Sequence, residues 1–178
     1  QFSQSDIEAK LKKAGAVFTS LSQDDVINHT STALADGKAV GWFQGRMEFG
    51  PRALGGRSIL ADPRSTRMQK TLNLKVKYRE SFRPFAPSVL FEHVNEWFEL
   101  NGASPYMLLV ADVHKSHQVK MNAEEEKLFG IEKLNIPRSS VPAITHVDYS
   151  ARIQTVHSET NPLYHKLISA FQKHTSCP

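Results

Sequence analysis

A glycine-rich segment that also carries arginines, GWFQGRMEFGPRALGGRSILADPR, constrains the fold of this chain more than any other stretch. It includes parts of two short apolar runs, residues 38–43 and 58–61, whose length and composition are typical of β-strands. The glycines between the runs allow positive φ angles and tight turns, because glycine has no Cβ. The sequence therefore predicts two strands joined by residues 45–56, which we name the glycine–arginine loop.

The positive charge of the chain is concentrated in and after this loop. The formal net charge is +4, but residues 46–83 alone hold seven arginines and three lysines against three acidic residues, a local balance of +7. The planar guanidinium fork suits phosphate and carboxylate oxygens, and the N–H groups of a glycine-turned loop attract the same ligands. An anion site is therefore the functional hypothesis. The structural alternative is that the glycines make turns and the arginines pair with Glu48 and Asp62.

Two common phosphate-binding motifs do not fit the glycine–arginine loop. A Walker A loop requires Gly-Lys-Ser/Thr after its glycines, and this segment has no such tripeptide. The dinucleotide fingerprint requires the spacing G-x-G-x-x-G, which also fails here. Any anion site in this region must therefore be built differently.

The rest of the chain alternates between helical and extended patterns. Helices are predicted before Gly15 with a Ser5–Glu8 capping box, over residues 24–36, around Met68 and Leu72, over residues 92–100, and after Asn161 with Pro162 in the first turn. Strands are predicted in residues 85–91, 106–113 and 145–156. Interspersed strands and helices indicate an α/β or α+β fold with a mixed sheet flanked by helices. Trp42 and Phe43 are expected in its core.

We expect residues 1–178 to form a single domain, because a chain of 178 residues can bury one hydrophobic core. Residues 114–140 are polar and aperiodic, which predicts an excursion on the surface. No apolar run approaches the ~20 residues of a membrane span, and Cys177 is the only cysteine, so we expect a soluble cytoplasmic protein. His114 and His117 have a tolerable spacing for zinc but lack neighbouring carboxylates, so no metal site is predicted.

Segments beyond the glycine–arginine loop point to a known family. These are KVKYRESFRPFAPSVL at residues 75–90, HVDYSARIQTV at residues 146–156 and the closing FQKHTSCP. Together with the loop they resemble the C-terminal domain of the O-carbamoyltransferases that modify antibiotics and nodulation factors. The resemblance extends over about residues 40–178 and is weakest in the polar excursion.

The resemblance implies a fold, an activity and partners. The fold would be YrdC-like, a twisted mixed sheet flanked by helices. The activity would be the conversion of carbamoyl phosphate and ATP, with Mg²⁺, into a carbamoyl adenylate. A separate, metal-dependent Kae1-like N-terminal domain would transfer the carbamoyl group to a hydroxyl. The family continues beyond the terminal Cys-Pro with a strand and an Asn-Thr-Ser-Phe-Asn motif, so this chain is expected to lack its last strand.

The resemblance also implies which residues bind the ligand. By motif, the family's basic ligand-binding residues correspond to four residues here: Arg52 in GPRALG, Lys77 in VKYRE, Arg83 in FRPFAP and Arg152 in ARIQT. Lys77 and Arg52 are the candidate catalytic residues among them.

Other basic residues of the region have weaker claims. Arg46 and Arg57 are further candidates for nucleotide binding, but like Arg64 they are as well suited to bracing backbone carbonyls. Arg79 and Glu80 are expected to pair with neighbours on the surface.

An RNA-binding module is the alternative function, because YrdC-like domains occur in tRNA modification and the basic segment suits a phosphate backbone. The small-ligand interpretation is favoured. The cations lie in a glycine-turned loop rather than along an amphipathic face, and no ladder of aromatic residues indicates a base-stacking surface.

Overall fold

The computed structural model describes residues 2–178 of the chain. The major helices are α1 (Gln4–Lys13), α2 (Gln23–Ala35), α3 (Met68–Lys75), α4 (Val94–Trp97), α5 (Gly130–Leu134) and α6 (Pro162–Thr175). The strands are β1 (Val40–Phe43), β2 (Arg57–Leu60), β3 (Ser88–Leu90), β4 (Leu109–Asp112) and β5 (Ser150–Val156). Single 3₁₀ turns occur at Phe91–His93, Lys115–His117 and Glu125–Lys127. Among the described residues, no helix has both the length and the apolar character needed to cross a bilayer.

The strands form two small sheets flanked by helices, a mixed α/β arrangement. β1 and β2 pair antiparallel, with Phe43 opposite Arg57. In the second sheet β5 is central, parallel to β3 and antiparallel to β4, which gives the order β3-β5-β4. The expected fold class is therefore confirmed, although the strands are divided between two sheets instead of one. The second sheet contacts the glycine–arginine loop, since the side-chain amide of Gln154 in β5 donates to the backbone carbonyl of Leu54 at 2.9 Å.

Helix α6 joins two hydrophobic clusters. One face of α6 buries residues at spacings of three and four: Tyr164, Leu167, Ile168 and Phe171. Phe171 contacts the cluster that surrounds Val113 and Ile153, and Leu167 contacts the cluster that contains Trp42. Because α6 shares these clusters with residues of both sheets and also packs against α2, it helps to hold the two sheets in one structure.

Several predicted boundaries were wrong. The capping box of α1 is formed by Ser3 and Asp6, which lie two residues before the expected pair. Phe43 is 75% exposed rather than buried, because neighbouring strand residues face opposite sides and Trp42 takes the core side. Its ring lies 3.3 Å from the guanidinium carbon of Arg57.

The predicted strands are shorter in the structure. The first covers only Ser88–Leu90, because Pro87 has no N–H for a sheet ladder. The second covers only Leu109–Asp112, since Met107 takes a φ of +56° that interrupts an extended chain. The predicted helix over residues 92–100 is a 3₁₀ turn followed by α4, and it ends where Phe98 becomes extended.

The polar excursion contains more structure than its sequence predicts. It includes α5 and two 3₁₀ turns, although most of its residues are exposed. Near its end, the guanidinium of Arg138 donates to the carbonyls of Lys133 at 2.6 Å and Ile136 at 3.1 Å. Arg138 thereby pairs with one carbonyl in the last turn of α5 and with one just after the helix.

Candidate anion-binding site

Four basic side chains line one cavity of about 440 Å³. They come from three parts of the chain: Arg52 from the glycine–arginine loop, Lys77 and Arg79 from the segment after α3, and Arg152 from β5. Arg52 and Lys77 are exposed, whereas Arg79 and Arg152 are half-buried. The structure thus brings together three of the four residues that the resemblance implies.

The glycine–arginine loop folds around the carboxylate of Glu48. Its Oε1 accepts hydrogen bonds from the backbone N–H groups of Leu54 at 2.8 Å, Gly56 at 2.6 Å and Arg57 at 3.1 Å. Burial opposes ionisation of Glu48, but these backbone donors outweigh it and lower the pKa of the carboxyl group. Glu48 therefore pairs with backbone amides. The structural alternative, in which an arginine pairs with Glu48, is wrong for this residue.

Gly55 fixes the loop against α6. Its φ is +99°, and a Cβ placed there would lie 2.4 Å from Cδ1 of Tyr164. Such a separation is far inside van der Waals contact, so only glycine allows the backbone to approach the aromatic ring this closely. The loop that carries Arg52 is therefore held by a carboxylate on one side and by a buried ring on the other.

Arg152 is a half-buried cation with an unsatisfied donor. Its Nε is buried without a hydrogen-bond partner. Burial and the nearby charge of Arg52 both lower the pKa of Arg152. A buried donor without an acceptor is costly, and so is a cation beside another cation. An anion in the cavity would relieve the repulsion between the two cations.

Apolar side chains form much of the remaining wall of this cavity. They include Phe85, Met107 and Phe171 from different parts of the core. An apolar wall lowers the local dielectric constant, which strengthens the attraction between an anion and the four cations. The cavity is thus suited to a ligand with a charged part and a less polar part.

The other predicted site residues lie elsewhere. Arg83 lines a second cavity of about 320 Å³, and its Nε donates to Glu80 at 3.0 Å. Arg46 is exposed and does not line the main cavity. Arg57 donates to the carbonyls of Gln44, Gly45 and Gly56 at 2.7–3.1 Å. Arg64 forms a bidentate pair with Asp62. The structural alternative therefore describes Arg64, whereas Arg57 braces backbone carbonyls, the other role expected for it.

Arg79 was assigned wrongly from the sequence. It was expected to pair with neighbours on the surface, but it lines the main cavity, and its Nε donates to Oδ1 of Asn73 at 2.7 Å. Glu80, in contrast, does pair with a neighbour on the surface, Arg83, as expected. The signal that was missed is the two-residue spacing from Lys77. In residues 2–178, no three His, Cys, Asp or Glu side chains are grouped so that they could hold a metal ion.

The chain is similar to several known proteins. Residues 31–178 match the family described as Carbamoyltransferase C-terminus. The chain is 60% identical, over 99% of its length, to the Synechocystis sp. protein named Uncharacterized protein sll1178. It is 44% identical over 87% of its length to Nodulation protein NolO of Bradyrhizobium diazoefficiens. It is 40% identical over 79% of its length to 3'-hydroxymethylcephem-O-carbamoyltransferase of Amycolatopsis lactamdurans.

These alignments cover only part of each relative. They span 29% of the Synechocystis protein, 25% of NolO and 23% of the cephem carbamoyltransferase. The family match, in contrast, covers most of this chain, including Arg52, Lys77 and Arg152. The chain therefore belongs to the carbamoyltransferase C-terminus family.

Proposed function

We propose that this chain is the carbamoyl-activating part of an O-carbamoyltransferase, and that its main cavity binds carbamoyl phosphate and ATP. The observation that carries the proposal is that Arg52, Lys77 and Arg152 line one cavity, while none of the three forms an ion pair with an acidic side chain in the part of the chain that the structure describes. Each of the two ligands brings at least two negative charges, which suits a group of unpaired cations. Mg²⁺ would enter with the nucleotide, since its preferred ligands are phosphate oxygens and water.

The proposed reaction forms a carbamoyl adenylate. Water first cleaves carbamoyl phosphate into carbamate and inorganic phosphate. A carbamate oxygen then attacks the α-phosphorus of ATP, the α–β phosphoanhydride bond breaks, and its electron pair leaves with pyrophosphate. Lys77 and Arg52 are assigned to stabilise the charge that develops on the phosphoryl oxygens, because fixed cations lower the energy of such a transition state. Arg152 is assigned to hold the ligand in place.

Arg83 is not assigned a role in the main cavity. Its correspondence to a ligand-binding residue comes from the resemblance, whereas its side chain lies in the second cavity and is paired with Glu80. A role for Arg83 with the same ligand requires that ion pair to open. Arg57 already donates to three backbone carbonyls, which leaves it less able to serve a ligand.

The carbamoyl transfer itself is proposed to need the rest of the polypeptide. The chain spans about a quarter of the length of its carbamoyltransferase relatives. We assign transfer to a hydroxyl acceptor to a Kae1-like N-terminal domain, and we expect the present chain alone not to complete it. The name of the cephem relative specifies a hydroxymethyl acceptor for that protein. The cytoplasm is the proposed location.

RNA binding is the weaker candidate. A phosphate backbone is bound by cations spread along an exposed surface. Here Arg79 and Arg152 are half-buried, and Arg57 and Arg64 are occupied by partners within the protein. This arrangement favours a small ligand.

Calorimetric titration of ATP and carbamoyl phosphate into the full chain tests the proposal. Arg52→Ala and Lys77→Ala are each expected to weaken binding by about tenfold or more, because each removes a charge-assisted hydrogen bond. Arg46→Ala, which lies outside the main cavity, serves as the control. Undiminished affinity in both cavity variants would remove these residues from the site. A gel shift of RNA at low salt, with no binding of ATP, would favour the alternative.

A further inference from the structure

The segment that carries Lys77 is held mainly by polar contacts. Its larger apolar side chains are substantially exposed: Val76 is 40% exposed, Tyr78 is 86% exposed and Phe82 is 39% exposed. None of them belongs to either hydrophobic cluster. Hydrophobic burial therefore contributes little to holding this segment beside the cavity.

Helix α3 supplies the attachment: the carbonyl of Leu72 accepts from the N–H of Lys77 at 2.9 Å, Gln69 donates to the carbonyl of Phe82 at 2.6 Å, and the side chain of Asn73, in the last turn of the helix, makes the largest number of side-chain contacts. Asn73 has no exposed surface. Its Nδ2 donates to the carbonyl of Ser81 at 3.1 Å and to the carbonyl of Arg83 at 2.7 Å. Its Oδ1 accepts from Nε of Arg79 at 2.7 Å. Both amide hydrogens and the amide oxygen are thus used on one segment.

The backbone of Asn73 holds the same segment. Its carbonyl accepts from the N–H of Arg79 at 3.0 Å. Just before Arg79 the chain passes through Tyr78, whose φ of +48° is unfavourable for a residue with a side chain. A strained backbone of this kind persists only where the surrounding contacts determine it. Four hydrogen bonds from one buried residue meet that requirement.

We propose that Asn73 is the positioning residue for Lys77, and that it acts by fixing residues 76–83 in the conformation that places Lys77 and Arg79 in the cavity wall. The inference rests on the proposed function. Asn73 does not line the cavity, so its effect on a ligand must pass through the residues it holds. Its removal is expected to weaken binding without removing any charge from the site.

Asn73→Asp in the full chain tests the inference. The aspartate has the same shape and keeps the acceptor for Arg79. In place of Nδ2, however, it has an oxygen, which cannot donate to the carbonyls of Ser81 and Arg83 and repels them. Asn73→Ser removes the two donors without adding charge, so it covers the case in which the aspartate variant does not fold. Asn95→Asp, on the exposed side of α4, is the matched control for the added charge.

Two measurements are read together. Backbone amide exchange in residues 76–83 is expected to accelerate in Asn73→Asp, but not in Asn95→Asp. ATP affinity is expected to fall by about tenfold in Asn73→Asp, and to show little further fall when the substitution is added to the double variant Lys77→Ala/Arg79→Ala, because residues that act through one another are not additive. Added to Arg52→Ala, which lies on a different loop, it should still lower the affinity.

The outcomes separate this inference from the proposed function. If the unsubstituted protein binds neither ATP nor carbamoyl phosphate, the proposed function is wrong and the role of Asn73 toward them is wrong with it. If the protein binds ATP but Asn73→Asp weakens binding equally with and without Lys77 and Arg79, or leaves the exchange of residues 76–83 unchanged, only the positioning role is overturned.

Discussion

Arg52 and Arg152 lie in the wall of the same cavity, and the charge of Arg52 helps to lower the pKa of Arg152, after the larger effect of burial. One of the two arginines is in a surface loop and the other is in the central strand of a sheet. Two neighbouring cations, one with a buried Nε that lacks an acceptor, form a costly arrangement without a ligand. An anion bound in the proposed site would offset the repulsion between them.

Replacement of Arg152 should therefore weaken ATP binding without lowering the stability of the ligand-free protein. Arg152→Met keeps the aliphatic volume but removes the charge and the unsatisfied donor, so the ligand-free protein should unfold at the same temperature or a higher one. The stabilisation by added ATP should be largely lost. Thermal unfolding with and without ATP measures both effects. Arg57→Met is the contrast, since it loses three bonds to carbonyls and should be less stable by about 1–3 kcal/mol.

Protonation of Glu48 should destabilise the protein in acid. Its pKa is lowered in the folded state, so its contribution to stability is present above its usual pKa of 4.5 and is lost as the pH falls through the lowered value. Urea unfolding between pH 7 and pH 3 should show this loss, and Glu48→Gln should reduce the pH dependence. At pH 7 the variant should be less stable by about 1 kcal/mol, because hydrogen bonds to a charged acceptor are stronger. An unchanged pH dependence in Glu48→Gln would contradict this role; Glu124→Gln, at an exposed site, is the control.

Alanine at Gly55 should be more destabilising than alanine at Gly50. Both glycines have a positive φ, +99° and +106°, so both substitutions strain the backbone by about 1–3 kcal/mol. Only at Gly55 would the new Cβ meet an aromatic ring, that of Tyr164, and overpacking of this kind costs about 1–3 kcal/mol more. Urea unfolding of the two variants compares them directly. Equal losses of stability would mean that the ring moves aside.

Cys177 should be unreactive in the folded protein. The thiol is buried, and burial together with the charge of Asp62 raises its pKa to about 12, so the thiolate that reacts with alkylating agents is nearly absent at pH 8. Labelling by a disulfide-exchange reagent should be slow in buffer and fast in urea. Rapid labelling without denaturant would show that the region around Cys177 opens readily.

Patterns local in sequence predicted most of the helices. The expected helix over residues 24–36 is α2 at Gln23–Ala35, and the helix expected after Asn161 buries Leu167 and Phe171 as predicted. Strand lengths were less well predicted, because they depend on pairing partners far away in the sequence. A long apolar run such as residues 106–113 shows that a strand is favoured, but not how many of its residues find a partner.

By itself, the sequence determined the class of the fold and the family, and it placed most of the arginines in one part of the chain, since these follow from residue types and spacings within short segments. Only the tertiary structure decided which cations share a cavity. Arg152 lines the same cavity as Arg52 because β5 lies at the centre of its sheet. Arg57 does not line this cavity, because its guanidinium donates to loop carbonyls such as that of Gln44. Both depend on long-range packing, in which burial and hydrogen-bond geometry select among arginines that look equivalent in sequence.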